Sequence, residues 1–167
     1  MDIFILRHAS AEEHSPSAFR DDSLRPLTAK GSRRMRQVAT AMRALDLSFD
    51  VIYTSPFVRA KQTAAIVADV FQLHKKLRET DTLATGGDPE ELIRLLQSAG
   101  DEFQSILLVG HEPYLSDLIS VLLVGDGSLA LTMKKGGVCK LRVGILKYGR
   151  CASLEWLLPP SVSVQIQ

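Results

Sequence analysis

Cysteine is scarce: the 167 residues include two, Cys139 and Cys151, and no Cys-x-x-Cys pair. That excludes a disulfide scaffold and a thiolate zinc site, and leaves two reduced thiols in a cytoplasmic protein as the expectation. The four histidines show no zinc-like spacing, and no carboxylate cluster is visible, so neither a metal nor another cofactor is expected. Long apolar runs are missing as well. The longest, Leu118 to Val124, is interrupted by Ser120 and falls far short of the roughly 20 residues that span a bilayer. Asp2 stands where a signal peptide would carry basic charge, and the apolar run after it is too short for a signal core. Charge of one sign is not in excess: the net charge of +1 excludes a general attraction to nucleic acid or anionic membrane. Any anion binding must come from a local cluster. Internal repeats and low-complexity segments are absent too.

What is present is ordinary globular composition, 46% apolar and 23% charged, in a chain long enough to bury a core without staples. Residues 2–6 read as a strand buried on both faces, hence an inner parallel strand. Residues 9–26 are a polar loop, long enough to suggest function. Thr28 to Leu45 reads as a helix, with Met35, Val38, Ala39, Met42 and Leu45 on one face and Arg33, Arg34, Arg36 and Arg43 around the rest. Val51 to Tyr53 is a second strand. Ser55 and Pro56 then suit the N-cap and first turn of a helix whose buried face is Ala60, Thr63, Ala64, Val67 and Phe71. Residues 77–88 read as a loop, Glu90 to Ala99 as a helix, and Ser105 to Val109 as another buried strand. Gly110 to Pro113 turns into a helix ending near Val124. Val138 to Val143 and Ala152 to Leu157 form two more strands joined around Tyr148-Gly149. Strands alternating with helices predict an α/β, three-layer domain over 1–158: a mainly parallel central sheet with helices on both faces. Residues 159–167 are expected to be a loosely held tail.

The first strand poses a question, because "DIFILRH" ends in two residues that can each be cationic rather than in turn formers. Ligands of open parallel sheets bind outside the carboxyl ends of the strands. Arg7 and His8 follow the first strand, Arg59 lies just after the second, and His111 follows the strand at 105–109. If these strands are neighbours, two arginines and two histidines converge, an arrangement that is costly unless an anion compensates it. The guanidinium fork and nearby helix N-termini suit a tetrahedral oxyanion such as phosphate. Individually each residue has an ordinary structural reading; convergence is what gives them a function. His14 and His74 lack such placement and read as surface residues.

Four segments carry a resemblance. "LRHAS", with Ala9 where glycine is more usual, is similar to the Arg-His-Gly motif of the histidine phosphatase superfamily, and "RPLTAKG", "TSPFVRAKQTA" and "LLVGHEP" resemble its next three blocks in order. "MKKGGVCKL" resembles a late strand of the SixA-type phosphohistidine phosphatases, a small subgroup without cap insertions. The resemblance implies a phosphoglycerate mutase-like fold with no cap. It implies His8 as a nucleophile that is transiently phosphorylated, and Arg7, Arg59 and His111 as binders of the phosphoryl oxygens. Arg25 would stand near the pocket mouth. The larger family places an acid after the second helix; Glu79 is the nearest positional match and Asp81 the alternative, while a plain surface ion pair is an equal reading of Glu79. The substrate would be a phosphorylated protein, such as a histidine-phosphotransfer protein, or a small phosphate ester. Mutase activity fits less well because it needs an enclosed site. A non-catalytic phosphate-binding module would not need the nucleophile. The "RRMR" stretch could dock an acidic partner or simply be a solvated face.

Overall fold

Strand β1 (Asp2–Arg7) alternates its side chains between two separate cores. Ile3 and Ile5 enter one apolar cluster, Phe4 and Leu6 the other. This is the period-two rule acting on a strand with both faces covered. The computed structural model describes residues 1–13, 19–99 and 102–165. In it β2 (Val51–Thr54), β3 (Leu77–Glu79), β4 (Ser105–Gly110), β5 (Val138–Val143) and β6 (Ala152–Leu158) complete a six-stranded sheet of order β3-β2-β4-β1-β5-β6. The first four strands of that order are parallel; β5 is antiparallel to β1 and to β6.

Helices α1 (Ala29–Ala44) and α2 (Val58–Phe71) cover one face, on Met35, Val38, Ala39, Met42, Ala60, Ala64, Val67 and Ala68. Helices α3 (Pro89–Ser98) and α4 (Tyr114–Val124) cover the other, with Leu92, Leu96, Leu115, Leu118 and Leu122 fully or almost fully buried. The result is a three-layer α/β domain, as expected. Local chemistry sets the helix ends. The Thr28 side chain accepts from Gly31 N–H to start α1, and Asp88 accepts from Glu90 N–H to start α3, followed by Pro89 in its first turn. Gly125, in the left-handed region at φ 104°, ends α4.

Several expectations are corrected. Strand β1 is inner, but its neighbour β5 runs antiparallel. Strand β3 lies inside the segment read as loop; it is three residues long, half-exposed to exposed and at the sheet edge, so it carries no period-two signal. Ser55 does not cap α2, whose first residue is Val58 and whose N-cap, Phe57, makes no side-chain cap bond. Leu45 is the C-cap of α1 and leans outward at 38% exposure. The tail is not loose where it is described: α5 (Pro160–Ser163) forms a turn of helix against α1, Ser163 is buried, and Val164 packs on the α1/α2 core.

Candidate active site

The register of the parallel strands brings the expected residues to one edge. Arg7 lies opposite Gly110, and Leu6 and Thr54 both lie opposite Val109. The chain then continues one step beyond each strand: His8 N–H donates to the Gly110 carbonyl at 3.0 Å and Ser55 N–H to the Val109 carbonyl at 3.0 Å. The imidazoles of His8 and His111 consequently face each other with ring centroids 5.0 Å apart.

His8 is buried, and its Nδ1 lies 2.7 Å from the Ala9 carbonyl oxygen. A carbonyl only accepts, so Nδ1 carries the hydrogen and Nε2 keeps its lone pair. Burial, together with the Arg59, Arg7 and Lys135 cations, pushes the His8 pKa down to about 4, against the opposing hydrogen bond to Ala9. His111 is lowered further, to about 3, first by burial and then by His8 and Arg59. Both rings are therefore neutral at neutral pH. His111 Nε2 is 2.8 Å from Ser55 Oγ, and the Phe57 ring lies 5.0 Å from its own.

The arginines are anchored from behind. Arg7 Nη1 donates to the Met133 carbonyl at 2.6 Å, while Met133 N–H donates to Glu112 Oε1 at 2.7 Å. The same Glu112 oxygen accepts from Ser116 Oγ at 2.7 Å, so the carboxylate ties the β4–α4 turn to the loop that holds Arg7. Gly136 N–H donates to the Arg7 and His8 carbonyls at 3.0 and 3.2 Å, closing that loop over the end of β1. Arg59, in the first turn of α2, donates through Nη1 to the Asp22 carbonyl at 2.7 Å and through Nη2 to Asp22 Oδ2 at 2.8 Å. Its guanidinium lies 5.1 Å from the centre of the Phe57 ring. Arg25 Nε donates to Asp22 Oδ1 at 3.0 Å, so one carboxylate joins Arg25 to Arg59. Burial alone would raise the Asp22 pKa, but Arg59 and Arg25 outweigh it and hold the carboxyl below its usual value. Burial likewise lowers both Arg7 and Arg59.

Three nitrogens of this cluster, Arg7 Nε, Arg59 Nε and His111 Nδ1, are buried without a hydrogen-bond partner. Leaving such a group unpaired costs about 1–3 kcal/mol. If Ser55 Oγ–H donates to His111 Nε2, then Nδ1 carries a hydrogen and all three nitrogens are donors. A tetrahedral oxyanion beside His8 has the oxygens to accept them.

Glu79 ends β3 on the same edge, opposite Thr54, but its carboxylate is exposed and paired with Lys61 Nζ at 3.2 Å. Asp81 is exposed and opens a short 3-10 turn at 81–83. His74 is an exposed residue 3.6 Å from Asp69 Oδ1, and His14 lies outside the described residues. Among the described residues no set of three or more His, Cys, Asp or Glu is grouped to hold a metal, and no helix is long and apolar enough to cross a membrane. Sequence reasoning overlooked Ser55, Asp22, Glu112 and Lys135 as parts of the site. Ser55 was open to discovery, because it follows a strand end as His8 does. Asp22 sits in a polar loop and gave no such signal.

A neutral buried imidazole between two arginines, at the carboxyl edge of a parallel sheet, is the kind of site phosphoryl-transfer proteins use. The chain belongs to the histidine phosphatase superfamily: the model of its branch 1 matches residues 3–106. It is 31% identical to the phosphohistidine phosphatase SixA of Escherichia coli K12 over 127 residues, 75% of this chain and 76% of that one. An uncharacterized protein of Picosynechococcus is 32% identical over 95% of this chain and all of its own length. A solved structure of the protein histidine phosphatase SixA complexed with tungstate superposes with a TM-score of 0.82 at 25% identity, covering 97% of this chain and 99% of that one. The α-ribazole phosphatase of Shigella flexneri shares the fold, at TM-score 0.72 and 20% identity, covering 96% of this chain and 97% of that one. These relatives place the chain in the SixA-type subgroup, among the phosphatases.

Proposed function

We propose that this protein removes the phosphoryl group from a phosphohistidine on another protein, in the cytoplasm, through a phosphorylated His8. The observation that carries the reading is the state of His8: neutral, with Nδ1–H held by the Ala9 carbonyl and the Nε2 lone pair left for attack. Nε2 attacks phosphorus and the phosphorus–nitrogen bond of the substrate breaks. The departing imidazole takes a proton from water. A second water then attacks the His8 phosphoramidate, releasing inorganic phosphate and restoring the neutral ring. Arg7, Arg59 and His111 donate to the phosphoryl oxygens throughout, positioning the group and stabilising developing charge. Arg25 acts through Asp22, holding Arg59 in place from the mouth side.

The leaving group argues for phosphohistidine over an ester. An alkoxide needs a proton donor, a contribution of roughly 10²–10⁴-fold, whereas an imidazole leaves with solvent protonation. Glu79, the carboxylate expected to donate, is exposed and engaged by Lys61. Hydrolysis of small phosphate esters is therefore the second reading, with Glu79 as its acid, and non-catalytic phosphate binding leaves the poised Nε2 without a role. The test is to trap the phosphoenzyme and compare substrates at equal concentration. An acid-labile, alkali-stable label that is lost with turnover in His8→Ala is expected, with faster release from a phosphohistidyl protein than from alkyl phosphates. Turnover persisting in His8→Ala would remove the nucleophile, and faster ester hydrolysis would favour the second reading.

A further inference from the structure

The outward side of α1 carries Lys30, Arg33, Arg34, Arg36 and Arg43, and the helix contains no acidic residue. A solvated helix surface ordinarily mixes both signs in pairs three or four residues apart. Here Arg36 pairs with Asp69 on α2 at 2.8 Å, and Arg43 Nη1 donates to the Val70 carbonyl at 3.1 Å. Arg34 reaches only the neutral Gln37, at 3.5 Å. Lys30, Arg33 and Arg34, in the first two turns, thus have no carboxylate partner among the described residues.

These cations stand beside the nucleophile loop. Thr28 N–H donates to the Ser10 carbonyl at 3.0 Å, two residues after His8. A concavity of about 520 Å³ is lined by Ser10, Lys30, Arg33 and Arg34. It shares Arg33 with a groove of about 680 Å³ that runs between α1 and α2 past Gln62. Sixteen helical residues extend about 24 Å, so the strip continues well beyond the pocket. The opposite layer carries acidic residues instead, with Asp88, Glu90 and Glu91 at the start of α3. The small net charge hides this division between the two faces.

We propose that the first two turns of α1 are a docking surface for an acidic patch of the protein that carries the phosphohistidine; this rests on the function proposed above. Guanidinium forks pair with carboxylates in two-bond geometry, and a local field of one sign speeds encounter with a partner of the other. A nucleic acid fits less well. Its backbone presents a charge about every 1.7 Å, whereas the unpaired cations are three and the strip is broken by the Arg36–Asp69 pair.

Two measurements test the surface. First, a fluorescein-labelled hexaglutamate peptide, unphosphorylated, is titrated with wild type, with a K30E/R33E/R34E variant, and with R94E, a charge reversal on α3 across the sheet. Binding to wild type should weaken at least tenfold in the triple variant, change less than twofold in R94E, and disappear in 0.5 M salt. Equal weakening by R94E, none in the triple variant, or tighter binding of a DNA duplex than of the peptide would overturn the proposal. Second, one phosphohistidine is joined through a ten-residue Gly/Ser linker to hexaglutamate or to hexaserine. The wild type should favour the acidic peptide in kcat/KM by about tenfold. The triple variant should lose that preference yet keep its rate on the neutral peptide within twofold, which also shows that it is folded. No preference in the wild type would overturn docking. If neither phosphopeptide is cleaved while hexaglutamate still binds, the phosphohistidine reading fails and the docking surface stands.

Discussion

At His8 and His111, two imidazoles are kept neutral by burial beside cations, with pKa values of about 4 and about 3. In an unfolded chain each would titrate near pH ~6.5. Between those values the unfolded state binds more protons than the folded one, so stability rises with pH there. The two rings impose no penalty above about pH 6.5, and stability falls as the pH drops through that value toward 4. Thermal melts from pH 8 to 4.5 should show a level Tm down to about 6.5 and a decline below it; a level Tm down to 4.5 would contradict the burial argument. Ser55 acts on the same ring. Its hydroxyl faces His111 Nε2 at 2.8 Å, and donation from it leaves the hydrogen on Nδ1, which is buried without a partner of its own. Ser55→Ala should lower kcat/KM by roughly 10–100-fold, by analogy with loss of the outer hydrogen-bond partner of a metal-ligating histidine. Because Ser55 acts through His111, the acid limb of the pH–rate profile should also move. A simple loss of stability with an unmoved profile would reduce Ser55 to a packing role.

At the scale of elements, α1 and the loop behind His8 meet at backbone distance, and Gly31 allows it. A Cβ at Gly31 would collide with the Ser10 carbonyl oxygen, a backbone atom that cannot swing aside. Gly31→Ala therefore sets two effects against each other. Helix propensity favours alanine by about 1 kcal/mol, while overpacking costs about 1–3 kcal/mol. The collision is with backbone, so the cost should prevail. The variant is expected to have a lower Tm and lower activity, because Ser10 is two residues from His8. A raised Tm with full activity would show that the loop yields freely. Expectations failed at this scale where elements were short or solvent-facing. Strand β3 has three residues and no buried position, and the Ser-Pro pair before α2 mimics a capped helix start while Ser55 serves His111.

For the whole molecule, the site is assembled from three strand-end segments, after β1, β2 and β4, and closed by the loops that carry Asp22 and Met133, with charge supplied by arginine. In the proposed mechanism Arg7, Arg59 and His111 contribute the cations and N–H donors that a metal would otherwise supply. Phosphatase activity should survive exhaustive EDTA treatment, and vanadate, which resembles pentacoordinate phosphorus, should inhibit. Complete loss in EDTA that is reversed by a divalent ion would overturn a mechanism built on these side chains alone.

Much of this was decided locally. The apolar runs at 2–6 and 105–109, the period of α1 and the Arg-His strand end depend on neighbours along the chain, so the layered α/β class and the placement of Arg7, His8, Arg59 and His111 at or just after strand ends were legible in the sequence. Tertiary structure alone decided what depends on which distant groups meet. Strand order puts β4 between β2 and β1, which sets His111 against His8. Folding of the polar loop brings Asp22 to Arg59 across 37 residues, and that of the segment after α4 brings Met133 to Arg7 across 126. Burial, which arises only when the layers close, then holds both imidazoles neutral; no local pattern encodes it, because desolvation depends on everything that surrounds the ring.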